Sequence, residues 1–183
     1  MENLRKLHLG CGSKIIDGWE NIDIYFDSPL VIKGDISKLP TYEDGSVDII
    51  YASHVLEHFH KDTHAEVLKL WYDKLKSGGT LRLAVPDFEQ ICTQYMETKN
   101  IADIFGLTLG GQKNPYDYHG MIFDQYSLKT TLTKIGFVDI QRYDWRLTEH
   151  HNIDDFSQAY LPHMNKDKGR LMSLNLEAKK DVK

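Results

Sequence analysis

The sequence predicts an α/β fold: one doubly wound sheet of about seven strands, mostly parallel, with one antiparallel strand inserted by a carboxy-terminal hairpin. Three observations predict it. Short apolar runs alternate with helix-length amphipathic stretches along the 183 residues, as in strands joined by crossover helices. The first run ends in Gly10-Cys11-Gly12, a glycine turn at which backbone can approach a ligand. Two strand-like runs, separated by a loop over 144–169, follow the last long helical stretch, so one of them must return antiparallel.

The elements follow in order. Residues 4–9 read as a strand, 19–25 as a second, 30–33 as a short third, and 47–52 as a fourth that ends at the polar pair Ser53-His54. Over 63–76, Ala65, Val67, Leu68, Leu70, Trp71 and Leu75 recur close to helical spacing, and Ser77-Gly78-Gly79 stops the helix. A fifth strand occupies 81–85 and Pro86 ends it; 88–98 and 101–107 read as helices, as does 125–135, closed by Gly136. Strands over 137–143 and 171–178 complete the sheet. There is no internal repeat.

Composition bounds the function. A chain of this length, 41% hydrophobic, supports one well-buried core, so a single domain over 1–183 is expected. The formal charge of −5, from 22 basic and 27 acidic residues, excludes general attraction to phosphate backbones, and the lysines Lys179, Lys180 and Lys183 read as a frayed end. Long nucleic acid is not an expected partner. Without an apolar run of signal length or of the roughly 18 residues of a membrane span, a soluble, cytoplasmic protein with no membrane partner is expected. Cys11 and Cys92 do not make a disulfide framework.

The glycine turn narrows the ligand. Gly10 and Asp23 are thirteen residues apart, shorter than the ~20 of a dinucleotide fingerprint, and Ile15 stands where its third glycine belongs. The first crossover helix must therefore be stunted. The next strands also end in acid or polar residues, Asp35 and then Ser53-His54, which indicates a nucleoside bound along one edge of the sheet.

Together these segments resemble the class I S-adenosylmethionine-dependent methyltransferases, a Rossmann-like family. The resemblance rests on Leu7-His8-Leu9-Gly10-Cys11-Gly12, Gly34-Asp35-Ile36 with Leu39-Pro40, Asp44-Gly45-Ser46-Val47-Asp48, His54-Val55-Leu56-Glu57-His58 and Leu75-Lys76-Ser77-Gly78-Gly79-Thr80-Leu81. The chain is most similar to the short methyltransferases of polysaccharide and glycan-assembly gene clusters, through Gly18-Trp19-Glu20-Asn21-Ile22-Asp23, Val85-Pro86-Asp87, Asp117-Tyr118-His119 and Ser173-Leu174-Asn175-Leu176-Glu177-Ala178. The resemblance implies S-adenosyl-L-methionine as cofactor. It implies contacts from His8, Gly10, Cys11 and Gly12, with the glycines passing under the methionine part, from Asp23 to both ribose hydroxyls, from Asp35 and Ile36 to the adenine, and from Ser53 and His54 near the sulfonium. Read alone, Asp35 could instead cap the 37–39 turn and Asp23 could be a solvated strand end.

Methyl transfer to a sugar hydroxyl needs a base or a metal to lower its pKa. On a helix His54, Glu57 and His58 share one face; the same H-x-x-E-H order occurs in a zinc peptidase family, a reading excluded here because the motif follows a strand. The motif also resembles the Glu-x-x-Glu-His of magnesium-dependent O-methyltransferases, which implies Mg2+ or Mn2+ on His54, Glu57, His58 and His119, although His54 replaces the first oxygen ligand. Alternatively Glu57 and His58 hydrogen-bond the neighbouring loop. Without metal, His58 or His119 is the base and Asp87 orients the acceptor or the imidazole. His119 lies in Asn114-Pro115-Tyr116-Asp117-Tyr118-His119-Gly120, a turn-rich segment whose tyrosines suit a sugar face. His150-His151 and Asp154-Asp155 read as solvated residues of a loop that could cover the acceptor.

The expected activity is O-methylation of a sugar hydroxyl in a glycan or nucleotide-sugar precursor. The alternatives are a small phenolic or lipid-like acceptor, and a non-catalytic S-adenosylmethionine-binding regulatory subunit. A homodimer is the assembly considered.

Overall fold

The computed structural model describes residues 4–182. Seven strands form one sheet: β1 (Lys6–Leu9), β2 (Glu20–Asp23), β3 (Ile32–Lys33), β4 (Val47–Ser53), β5 (Leu75–Pro86), β6 (Phe137–Arg142) and β9 (Ser173–Lys180), in the order β3-β2-β1-β4-β5-β9-β6. The first five pair in parallel. β9 runs antiparallel to β5 on one side and to β6 on the other, the insertion expected from the last two strand-like runs. A short pair, β7 (Tyr160–Leu161) with β8 (Arg170–Leu171), stands apart from the sheet. The helices are α1 (His64–Lys74), α2 (Phe88–Thr98), α3 (Phe105–Leu109) and α4 (Gln125–Ile135).

The two faces of the sheet differ, and strand alternation explains why. Leu7, Leu9, Ile50, Ala52, Leu81, Leu83, Val85, Leu174 and Leu176 point to one side, where they form the core with Val67, Leu68 and Trp71 of α1 and Leu128 and Leu132 of α4. Most intervening residues are polar or aromatic, among them His8, Asn21, Tyr51, Arg82, Ser173 and Asn175. That second side is covered by irregular chain, and several of its buried polar groups pair with it. Asn21 accepts from the Ile16 N–H and donates to the carbonyls of Ile16 and Trp19, Tyr51 donates to Asp155 at 2.6 Å, and Asn175 donates to the Ser157 carbonyl at 2.9 Å.

Several expectations are corrected. Between β1 and β2 the chain makes turns with no helix; Gly10 and Gly12, at φ +63° and +50°, are outside the helical region. α1 ends at Lys74, and Ser77-Gly78-Gly79 lies in a register shift inside β5. The 101–107 helix divides into a 3-10 turn at Ile101–Asp103 and α3. The 144–169 loop contains 3-10 turns at Trp145–Leu147 and Phe156–Gln158, capped by Asp144 and Asp155. Lys179 and Lys180 belong to β9, where Lys180 donates to the carbonyls of Asp73 and Leu75; Lys183 lies outside the described residues.

Candidate active site

The carboxyl ends of β1, β2 and β4 form one edge of the sheet, the edge at which open α/β folds bind ligands. Asp23 closes it. Its Oδ2 accepts from the Gly12 N–H at 2.9 Å, and Oδ1 accepts from the N–H groups of Tyr25 and Phe26 at 2.7 Å each. A carboxylate offers about four acceptor positions, so room for a hydroxyl donor remains. A Cβ built on Gly12 would meet no atom within 4 Å; the turn borders open space. At the end of β4 the Ser53 hydroxyl is buried with no hydrogen-bond partner. An edge carboxylate, an open glycine turn and an orphaned hydroxyl together fit a hydroxyl-bearing cationic nucleoside.

Three other residues expected at the cofactor sit differently. His8 is buried in the polar face, its Nδ1 3.1 Å from the Asn21 Oδ1 and its ring stacked on Tyr51 at 5.2 Å. Cys11 is 3% exposed, and burial pushes its thiol up to about 12. Asp35 spends Oδ1 on the backbone and hydroxyl of Ser37, at 2.9 and 2.6 Å, and Oδ2 on Lys38 at 3.0 Å; the Ser37 hydroxyl holds its carboxyl below the usual range. This is the capping geometry of the 35–39 turn. Beside it, the Ile36 carbonyl accepts from the Trp71 indole at 2.9 Å.

Past β4 the chain turns through His54, at φ +52°, into a 3-10 turn at Leu56–His58. Glu57 is fully buried and neither carboxylate oxygen has a hydrogen-bond partner. His54 Nδ1 lies 3.4 Å from Glu57 Oε1, and His119 Nε2 lies 3.9 Å from it. His119 arrives from 62 positions downstream of Glu57 because Gly120 and Met121 donate to the Glu57 carbonyl at 2.8 and 3.1 Å. Only glycine permits that approach: a Cβ on Gly120 would be 2.7 Å from the Phe59 carbonyl oxygen. The His58 and His119 rings meet edge to face at 4.9 Å.

The electrostatics follow from burial. The Glu57 carboxyl is pushed up to about 8, because burial penalises its charge. Burial and then the neighbouring imidazoles of His119 and His58 push His54 down to about 3, and burial with His58 pushes His119 down to about 4. His58 is lowered by burial as well. The Nδ1 atoms of His58 and His119 lie 3.1 Å from the carbonyls of Tyr118 and Leu107. A carbonyl can only accept, so each Nδ1 carries the proton and each Nε2 keeps a lone pair.

His54, His58 and His119 line a cavity of about 400 Å³, whose walls include Asp103, Lys113, Asp117 and His163, and Phe156, Tyr160, Met164 and Met172. A larger groove of about 650 Å³ along β6 has no such cluster. The cavity residues of 156–172 were missed in the sequence, where the long loop offered only a mixture of histidines and aromatics. Ser173 supports the site from β9: its hydroxyl lies 3.1 Å from His54 Nε2 and donates to Asn175 Oδ1 at 2.9 Å. The alternation Ser173, Asn175, Glu177 was the legible signal. Asp87, by contrast, is fully buried, accepts from the Glu89 N–H at 3.2 Å and from Arg142 at 3.2 Å, and has no contact with the imidazoles.

A sequence profile described as a methyltransferase domain matches residues 20–83, the segment from β2 through the Glu57 turn and α1 into β5. Its overall fold is that of solved S-adenosylmethionine-dependent methyltransferases. That likeness of fold extends over nearly the whole chain. A SAM-dependent methyltransferase from Archaeoglobus fulgidus superposes with a TM-score of 0.59 at 19% identity, over 98% of this chain and 87% of that one. One from Mesorhizobium loti gives 0.55 at 17% identity over 97% and 91%. The Haloferax volcanii complex of the Trm112 methyltransferase activator with its methyltransferase gives 0.58 at 15% identity over 98% and 83%. No curated protein matches the chain in sequence. No helix among the described residues is long and apolar enough to cross a membrane.

Proposed function

We propose that this protein is a methyltransferase that moves the methyl group of S-adenosylmethionine onto a hydroxyl of a sugar held in the cavity beside His54, His58 and His119. The observation that carries the reading is the pair of imidazoles tied by Nδ1 to backbone carbonyls, each with a basic Nε2, on the wall of a cavity that begins where β4 ends. A bound cofactor supplies an electrophilic methyl on a sulfonium. Gly10 and Gly12 would lie under its methionine part, Asp23 against the ribose, Ile36 beside the adenine on the turn that Asp35 caps, and Ser53 with His54 near the sulfur. Asp23 keeps fewer free acceptor positions than two hydroxyls need, so one ribose hydroxyl is its share.

The acceptor hydroxyl gives its proton to His58 or His119 as its oxygen takes the methyl; the new bond is C–O and the broken bond is C–S. Both bases are depressed by burial, so they are unprotonated at neutral pH. Asp103, Lys113, Asp117 and His163 offer hydroxyl-binding groups, while Phe156 and Tyr160 offer faces for a sugar ring. Met164, Met172 and Leu161 on the same wall favour a second acceptor class, a small phenol.

Incubating the protein with S-adenosylmethionine and a panel of nucleotide sugars, free sugars and phenols, with S-adenosylhomocysteine release as readout, tests the reading. A methylated sugar is the expected product. Methylation confined to phenols selects the second class, and cofactor binding without turnover across the panel points to a binding subunit. His119→Ala should retain S-adenosylhomocysteine affinity by calorimetry and lose sugar turnover by about 100-fold or more; an unchanged rate would move the base to His58.

A further inference from the structure

We infer that Glu57, His58 and His119 form a centre for one nitrogen-preferring divalent metal, of the zinc, cobalt or iron(II) kind, at the floor of the acceptor cavity. The inference rests on the reading of that cavity as the acceptor site and names the group that acts on the acceptor there.

Three observations carry it. The three residues each present one ligand atom, and these atoms lie within 4.8 Å of one another. Donors about 2.1 Å from a tetrahedral ion stand about 3.4 Å apart, so contraction of an ångström or so, well within side-chain rotation, closes the site. Second, both oxygens of Glu57 are buried and unpartnered. A fully buried carboxyl with no donor is costly, and a cation removes that cost by occupying an oxygen. Third, His58 and His119 are each anchored through Nδ1 to a backbone carbonyl at 3.1 Å, the outer contact that fixes the ring and leaves Nε2 to coordinate.

The donor set decides the metal. Magnesium takes oxygen ligands in octahedral geometry, whereas two imidazoles and one carboxylate suit zinc and its neighbours and leave a coordination position open to the acceptor. The Mg2+ or Mn2+ implied by the resemblance to Glu-x-x-Glu-His enzymes fits less well, since His54 supplies no oxygen and lies outside the converging set. His54 stands beside Glu57 instead, 3.4 Å from its Oε1. A bound cation would take the Nε2 lone pairs of His58 and His119 in place of their role as base, and would lower the pKa of an acceptor hydroxyl by its charge so that the proton leaves to water.

The test uses the full chain stripped with dipicolinate and titrated with Co2+. The expected result is one equivalent of tightly held cobalt with visible d–d bands of a low-coordinate nitrogen–oxygen site, not displaced by millimolar Mg2+. Glu57→Gln and His119→Ala should each weaken cobalt binding by about 100-fold or more, and the near-isosteric glutamine keeps the fold comparable by circular dichroism. Absence of cobalt bands, or affinity unchanged in both variants, overturns the inference. S-adenosylhomocysteine calorimetry on the stripped protein and the acceptor panel are read separately. Turnover in metal-free protein removes the metal while keeping the methyl-transfer reading; metal loading with no turnover on any acceptor does the reverse.

Discussion

Glycine stands at 10 and at 12 for different physical reasons. Both have positive φ, but a Cβ at Gly10 would lie 2.5 Å from Val55 Cγ2, whereas one at Gly12 meets nothing within 4 Å. Val55 is β-branched and opens the segment that holds Glu57 and His58, so it has little room to yield. Gly10→Ala should cost about 1–3 kcal/mol in denaturant unfolding. Gly12→Ala should cost about 1–2 kcal/mol, the backbone strain alone, yet weaken S-adenosylhomocysteine by at least about 10-fold in calorimetry. Full affinity in Gly12→Ala would remove the cofactor from this turn. The glycines were legible from the Gly-x-Gly pattern; that Gly10 is a packing requirement was not, since Val55 is brought to it only by the sheet.

At the scale of an element, α2 shows how position in the chain can mislead. Asp87 follows β5 at the edge where ligands bind, and its place in the sequence suggested a role toward the acceptor. In the structure it is the N-cap of α2 and the partner of Arg142 from β6, joining three elements. Asp87→Ala should lower stability by about 1–3 kcal/mol through the lost cap and the unpaired charge, read from urea unfolding, with S-adenosylhomocysteine affinity unchanged. A loss of turnover in a variant that remains folded would return Asp87 to the acceptor. The boundaries of α2 and α4 match the sequence reading because capping is local: Asp87 and Asp124 begin them, and Gly136 ends α4. The β1–β2 connection was less legible, because a chain long enough for a short helix was instead drawn into turns by Asp23 and Asn21.

The whole molecule is a sheet with one apolar face under helices and one polar face under irregular chain. Tyr51 is the centre of the second face, between His8 and His150 at 5.2 and 4.1 Å, and its bond to Asp155 holds the 150–158 segment down. That segment continues into Phe156 and Tyr160 of the cavity wall. Tyr51→Phe should therefore raise amide exchange over 150–158 by about 10-fold or more, the equivalent of one buried bond, while exchange in β4 and β5 stays slow. Equal exchange in both proteins would mean that packing alone seats the segment. Asp155 had read as solvated in the sequence; it is 5% exposed, and His150 is 1% exposed.

The sequence by itself determined the sheet and the glycine turn and acid at its carboxyl edge, because strand periodicity, helix caps and a glycine turn are properties of neighbouring residues. It also brought Glu57 and His58 together, since they are adjacent in the chain. Tertiary structure decided which distant segments meet: that His119 closes the cluster through the Gly120 contact, that Ser173 and Asn175 reach beneath His54, and that His8 and Asp87 are spent on the fold. Those are matters of which buried donor finds which acceptor. Such pairing is settled only when distant segments pack and water leaves.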